Sequence, residues 1–167
     1  MRKRIRISSL PMSVAAALAL GACMTFAAAP SPARAQAAAT NESALEPLEI
    51  VTASGPHKFM VEVMRDDAQR ARGLMYRRFM PQDRGMLFDF KREEPVSMWM
   101  KNTYLPLDMV FIDHTGRVVN VAENTEPLSE RIIPSGAPAF AVLELNAGAA
   151  RSIGLKKGDR LRHPLFR

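Results

Sequence analysis

The sequence predicts a mainly β fold, a β-sandwich or barrel of about eight or nine short strands with one or two short helices. Three observations carry that expectation. From Leu48 onward, apolar and polar residues alternate with a period of two in one short run after another. Turn residues separate those runs at close intervals, among them Ser54-Gly55-Pro56 and His114-Thr115-Gly116. A helix start and a helix stop occur together in only one stretch, from Asp66 to Gly73.

Residues 48–51 make a first short strand, and after the turn residues 57–64 make its hairpin partner. In the second strand Phe59, Val61 and Val63 share one face, and Lys58, Met60, Glu62 and Met64 the other. Asp66 or Asp67 is the expected N-cap of a helix through Ala68 and Ala71 to about Arg72, where Gly73 ends it. Leu74 and Met75 then drop into the core, and residues 81–85 form a loop. Strands follow at 86–90, at 96–103 and, after Pro106, at 107–113. The turn at Gly116 sends residues 117–123 back as the second arm of a hairpin. Residues 125–138 hold Pro127, Pro134, Gly136 and Pro138 and read as a long loop, a length that usually serves function. A strand at 140–145, a helical turn at 149–153 closed by Gly154, and a last strand from Gly158 to Leu161 complete the chain.

Residues 1–35 read as an export signal. Arg2, Lys3, Arg4 and Arg6 precede an apolar run at 12–29, and Ala33-Arg34-Ala35 offers a small-x-small cleavage site before Gln36. A retained membrane helix is the alternative, since the run approaches the roughly 20 residues a span requires. The Pro30-Ser31-Pro32 break favours cleavage. A second route is also open, because Leu20-Gly21-Ala22-Cys23 resembles the lipobox of bacterial lipoproteins. Lipidation at Cys23 would hold the protein on a membrane; cleavage after Ala35 would leave it periplasmic or secreted. Residues 36–47 then form a flexible tether, and 48–167 a single β-rich domain large enough for its own core.

The leader holds five of the 23 basic residues and none of the 17 acidic ones, which leaves the mature chain at +1. The chain's overall charge of +6 therefore gives no reason to expect a nucleic-acid partner. The mature chain has no cysteine, which excludes disulfides, thiolate metal sites and cysteine nucleophiles.

The stretch from Met98 to Asp108 sets polar groups beside the only tryptophan, Trp99, in an otherwise apolar passage. Strand alternation puts Val96, Met98, Met100 and Asn102 on one face, and Ser97, Trp99, Lys101 and Thr103 on the other. The second face is suited to stacking a sugar or organic ring and bonding its rim. Asp108, just past the Pro106 turn, is placed to pair with Lys101 and keep it charged. The alternative is that Lys101, Asn102, Thr103 and Asp108 only fasten a corner between two strands. Arg72 and Arg77 would bind anions if they converged with Lys101; otherwise they cap carbonyls or cover apolar surface.

Other chemistries find less support. Glu93-Glu94 sits in a charged run and Glu144 between Leu143 and Leu145, with nothing to fix a catalytic carboxylate separation. Met98-Trp99-Met100 with His57 or His114 has the softness of a Cu(I) site. However, Met60, Met64, Met75, Met86 and Met109 fall at core-like positions where methionine fills gaps, so no metal ligand and no cofactor is assigned. No zinc or calcium spacing occurs, and no recognisable catalytic motif.

Three motifs carry a family resemblance: Arg72-Gly73-Leu74-Met75-Tyr76-Arg77, Gly85-Met86-Leu87-Phe88, and Trp99-Met100-Lys101-Asn102-Thr103 with Pro106-Leu107-Asp108-Met109. The Gly116 hairpin and Leu143-Glu144-Leu145 continue it, so that it spans about 48–161. The chain thereby resembles the uncharacterised bacterial and archaeal family called domain of unknown function 192. The resemblance implies a jelly-roll-like β-sandwich, often exported, with no established activity. It marks Arg72, Arg77, Lys101, Asn102, Thr103 and Asp108 as polar positions to test without giving them roles. The leading expectation is an exported binding or accessory module for a saccharide or other small polar envelope molecule, held around Trp99, Lys101, Asn102, Thr103 and Asp108. The alternatives are a hydrolase using Asp108 or Lys101 in proton transfer, or a protein-contact module working through the 125–138 loop over a purely structural corner.

Overall fold

The computed structural model describes residues 44–166. The expected signal, Cys23 and most of the tether lie outside the described residues. Seven strands, β1 (Glu46–Thr52), β2 (Gly55–Met64), β3 (Arg84–Met98), β4 (Leu107–Ile112), β5 (Val118–Thr125), β6 (Ile133–Asn146) and β7 (Arg160–Arg162), make one sheet in the order β5-β4-β6-β3-β2-β1-β7. Two short helices, α1 (Asp67–Arg72) and α2 (Ala149–Ser152), accompany them. No helix among the described residues is long and apolar enough to cross a membrane.

The sheet curls into a half-barrel. Its two outermost strands meet at one corner, where Val118 N–H donates to Asp159 O at 2.9 Å and Leu161 N–H to Gly116 O at 2.7 Å. Gly116 has φ +81, and a Cβ there would lie 2.5 Å from the Leu161 carbonyl oxygen, so this corner requires glycine.

Seven strands replace the eight or nine expected because two of those runs are one. Residues 86–90 and the start of 96–103 both belong to β3, which pairs with β6 on either side of an irregularity between Asp89 and Glu94. Lys91 sits in that irregularity at φ 65, with its N–H and its ammonium both bonded to Asp89. The expected 125–138 loop is also shorter, since β6 begins at Ile133. Pro134 and Pro138 stand opposite Ser97 and Pro95, and Val96 N–H donates to the Ser135 hydroxyl instead of a backbone carbonyl.

Asp66 is the N-cap of α1, in a reciprocal capping box with Gln69, and Gly73 closes the helix at φ 46. No residue of α1 is buried. The crossover it forms lets β2 and β3 run parallel. Leu74 is buried as expected, whereas Met75 is only half-buried.

Both faces of the central strands are covered, and β4 is buried at every position. One face joins Leu87, Val110, Leu143 and Leu145 to Ile50, Val61 and Leu161. The other joins Met86, Phe88, Met109, Phe111 and Val142 to Leu74, Met80 and Met100, which come from the connections that pass over it.

Candidate functional site

Beyond Met98 the chain leaves the sheet, so Trp99 to Thr103 form a corner and not the continued strand expected. Trp99 and Met100 still point in opposite senses: Met100 is fully buried and Trp99 is 44% exposed. Asn102 turns the corner at φ 54, a left-handed conformation that asparagine tolerates. Its carbonyl accepts from Tyr76 N–H at 2.9 Å, the Thr103 carbonyl accepts from Leu128 N–H at 3.0 Å, and Met100 N–H donates to Ser129 O at 2.9 Å. Backbone bonds therefore stitch three connections together: 73–83, 99–106 and 126–132. Tyr76 and Leu128 are left-handed too, at φ 65 and 63, each costing on the order of 1 kcal/mol that the surroundings must offset.

Above this seam lie all the large exposed apolar side chains among the described residues: Tyr76, Phe79, Trp99, Tyr104, Leu128 and Ile132. Cations accompany two of the rings, with Lys101 Nζ 5.2 Å from the Trp99 ring centre and the Arg78 guanidinium 4.7 Å from that of Tyr104. A cleft of about 270 Å³ opens beside them, lined by Met100, Asn124, Thr125, Ser129, Arg131 and Ile132 among others.

The expected Lys101–Asp108 pair does not form. Leu107 and Asp108 open β4, and this turns the Asp108 side chain into the interior, where it is fully buried. Its two oxygens accept from Asn124 N–H at 2.8 Å and Ala150 N–H at 2.9 Å, which ties β5 and α2 to β4. Lys101 instead faces Glu130 at 3.5 Å. Thr103 is buried, its hydroxyl donating to Lys101 O at 3.1 Å, so it belongs to the corner's framework. Arg72 is exposed at the end of α1, and Arg77 makes a two-pronged ion pair with Glu62, the second prong 2.7 Å long. Arg77 and Lys101 each answer their own carboxylate and do not converge on one anion site.

Glu144 is the residue that sequence reasoning passed over. It is 4% exposed, and among the described residues its carboxyl group has neither a hydrogen bond nor an ion pair. Burial alone pushes it up to about 8. The strand register sets Met86 and Met109 directly beside it on the two neighbouring strands, in one row of one face. The available signal was an acidic residue inside the apolar run Phe140 to Leu145, out of phase with Leu143 and Leu145.

A family model of uncharacterised proteins matches residues 49–163, most of the described domain. The chain belongs to the family called domain of unknown function 192. Solved structures extend the family likeness. One, from Sinorhizobium meliloti 1021 and described as a proposed transcription regulator, is 53% identical with a TM-score of 0.70, covering 72% of this chain and 94% of its own. Another, a protein of unknown function from Novosphingobium aromaticivorans DSM 12444, is 37% identical with a TM-score of 0.69, covering 71% of this chain and 85% of its own. No curated protein matches the chain.

Proposed function

We propose that this protein is an exported binding or accessory module that takes a saccharide or another small polar envelope molecule on the loop end around Trp99. The observation that carries the reading is the gathering of every large exposed apolar side chain among the described residues onto three mutually bonded connections. Trp99, with the Lys101 ammonium over its ring, supplies a stacking surface, and Arg131 supplies charge in a neighbouring cleft able to seat a ring. The backbone strain at Tyr76, Asn102 and Leu128 fits a surface held in place for contact.

The hydrolase alternative loses ground, because both Asp108 oxygens are committed to backbone N–H groups. Nucleic acid is an ill-suited partner: eight lysine and arginine side chains among the described residues already face a carboxylate. For that reason the regulator description of the Sinorhizobium relative is not carried over. A protein-contact surface is the second reading, favoured by Leu128 and Ile132, which are 54% and 62% exposed and suit a partner broader than a sugar.

Calorimetric titration with neutral and acidic envelope oligosaccharides tests the proposal. Saturable binding should weaken at least tenfold in Trp99→Ala, with the melting temperature little changed. Binding that is indifferent to Trp99→Ala, or no binding by any member of the panel, contradicts it.

A further inference from the structure

The methionines are divided unequally between the two faces of the sheet. The sixteen buried residues of the first core include no methionine, whereas the twelve of the second include Met64, Met80, Met86, Met100 and Met109. If methionine served only to fill gaps, it would have no reason to avoid one face. Glu144 lies in the second face, between Met86 and Met109. A buried carboxylate must be neutralised by a proton or a cation, and no lysine, arginine or histidine among the described residues pairs with it.

We propose that Glu144, Met86 and Met109, with Met80 and Met100 as further thioether donors, form a site for a soft monovalent cation, Cu(I) or its analogue Ag(I). Thioethers favour Cu(I) and discriminate against magnesium and calcium, which take oxygen ligands, while the carboxylate balances the ion's single charge. Methionine's three rotatable bonds allow its sulfur to swing toward an ion without moving a strand. Met100 gives a route in, because it belongs to the second core and also lines the open cleft. The sulfur of Met100 lies 3.2 Å from the Thr125 hydroxyl, whose proton goes to the Leu107 carbonyl at 2.9 Å.

The test is titration of the purified protein with silver nitrate, followed by calorimetry and by NMR of methionine methyl groups, and repeated with Cu(I) against a chromophoric competitor. One ion per chain should bind, with the Met86 and Met109 methyl signals moving first. Affinity should fall at least tenfold in Glu144→Gln and be lost in the Met86→Leu/Met109→Leu double variant, while Met60→Leu leaves it unchanged. If the double variant fails to fold, the wild-type methyl signals decide alone. Absence of binding, binding retained in a folded double variant, or shifts confined to other methionines would mean an adventitious ion only and overturn the proposal.

Discussion

Asp108 and Lys101 are seven residues apart, yet the structure gives them separate tasks. Asp108 satisfies two backbone donors, one of them wholly buried, so Asp108→Ala strands both and should cost roughly 2–5 kcal/mol. Lys101 pairs in the open with Glu130, and Lys101→Met should change stability by less than about 1 kcal/mol. Urea melts of both variants and of the double variant should show additivity within about 0.5 kcal/mol. A larger coupling would mean that the two side chains meet after all. Glu144 gives a prediction for the metal-free protein. Its folded value of about 8 lies above the ordinary 4.5, so the folded chain keeps a proton that the unfolded chain releases between those values. Its contribution is therefore intact below about pH 4.5 and is lost as pH rises toward 8, on the order of 5 kcal/mol in all. His163 works in the opposite sense: burial lowers it, so its contribution is present above 6.5 and lost as pH falls. Melts at pH 5, 7 and 9 separate the two, because Glu144→Gln should gain on the wild type steadily with pH. A constant difference would show that Glu144 is not a buried acid.

Among the elements, the legible ones were those whose signals are local. Alternation in 57–64, the Asp66 cap with the Gly73 stop, and the Gly116 turn all form as their sequences dictate. The features that were not legible depend on partners far along the chain. Lys91-Arg92-Glu93-Glu94 reads as a loop, but pairing with β6 on both sides makes it an irregularity within one strand. Pro134 and Pro138 read as loop residues, though they sit where the strand can do without their missing N–H groups. Glu144 alternates with Leu143 and Leu145, on a face that an antiparallel strand usually shows to water, but here the 73–83 connection covers that face. The β3–β6 contact is also where one small change should be felt. At Gly85 a Cβ would stand 2.8 Å from the Glu144 carbonyl oxygen and 2.9 Å from a Leu145 methyl group. Gly85→Ala should therefore destabilise by roughly 1–3 kcal/mol in a denaturant melt, and wild-type stability in that variant would contradict the register described.

At the scale of the whole molecule, the half-barrel closes its outer strands at the Gly116–Leu161 corner and buries both faces of its central ones. Three connections meet over the second face, bound by the Tyr76–Asn102 and Leu128–Thr103 backbone bonds, and they carry the exposed apolar set. Under the proposed function, the corner between β3 and β4 serves two purposes that the sequence left as alternatives. Its inner groups, Asp108, Thr103 and Met100, hold the fold, while Trp99 and Lys101 face outward, where the proposed ligand would sit. Trp99 is the only tryptophan in the chain, so intrinsic fluorescence reports on that surface alone. The most direct measurement is its emission during titration with envelope oligosaccharides at concentrations where calorimetry detects binding. A saturable shift in intensity or wavelength that follows the calorimetric curve, and that Lys101→Met weakens, is the predicted result. Calorimetric binding that leaves the Trp99 emission unchanged would put the ligand elsewhere and contradict the assignment of this loop end.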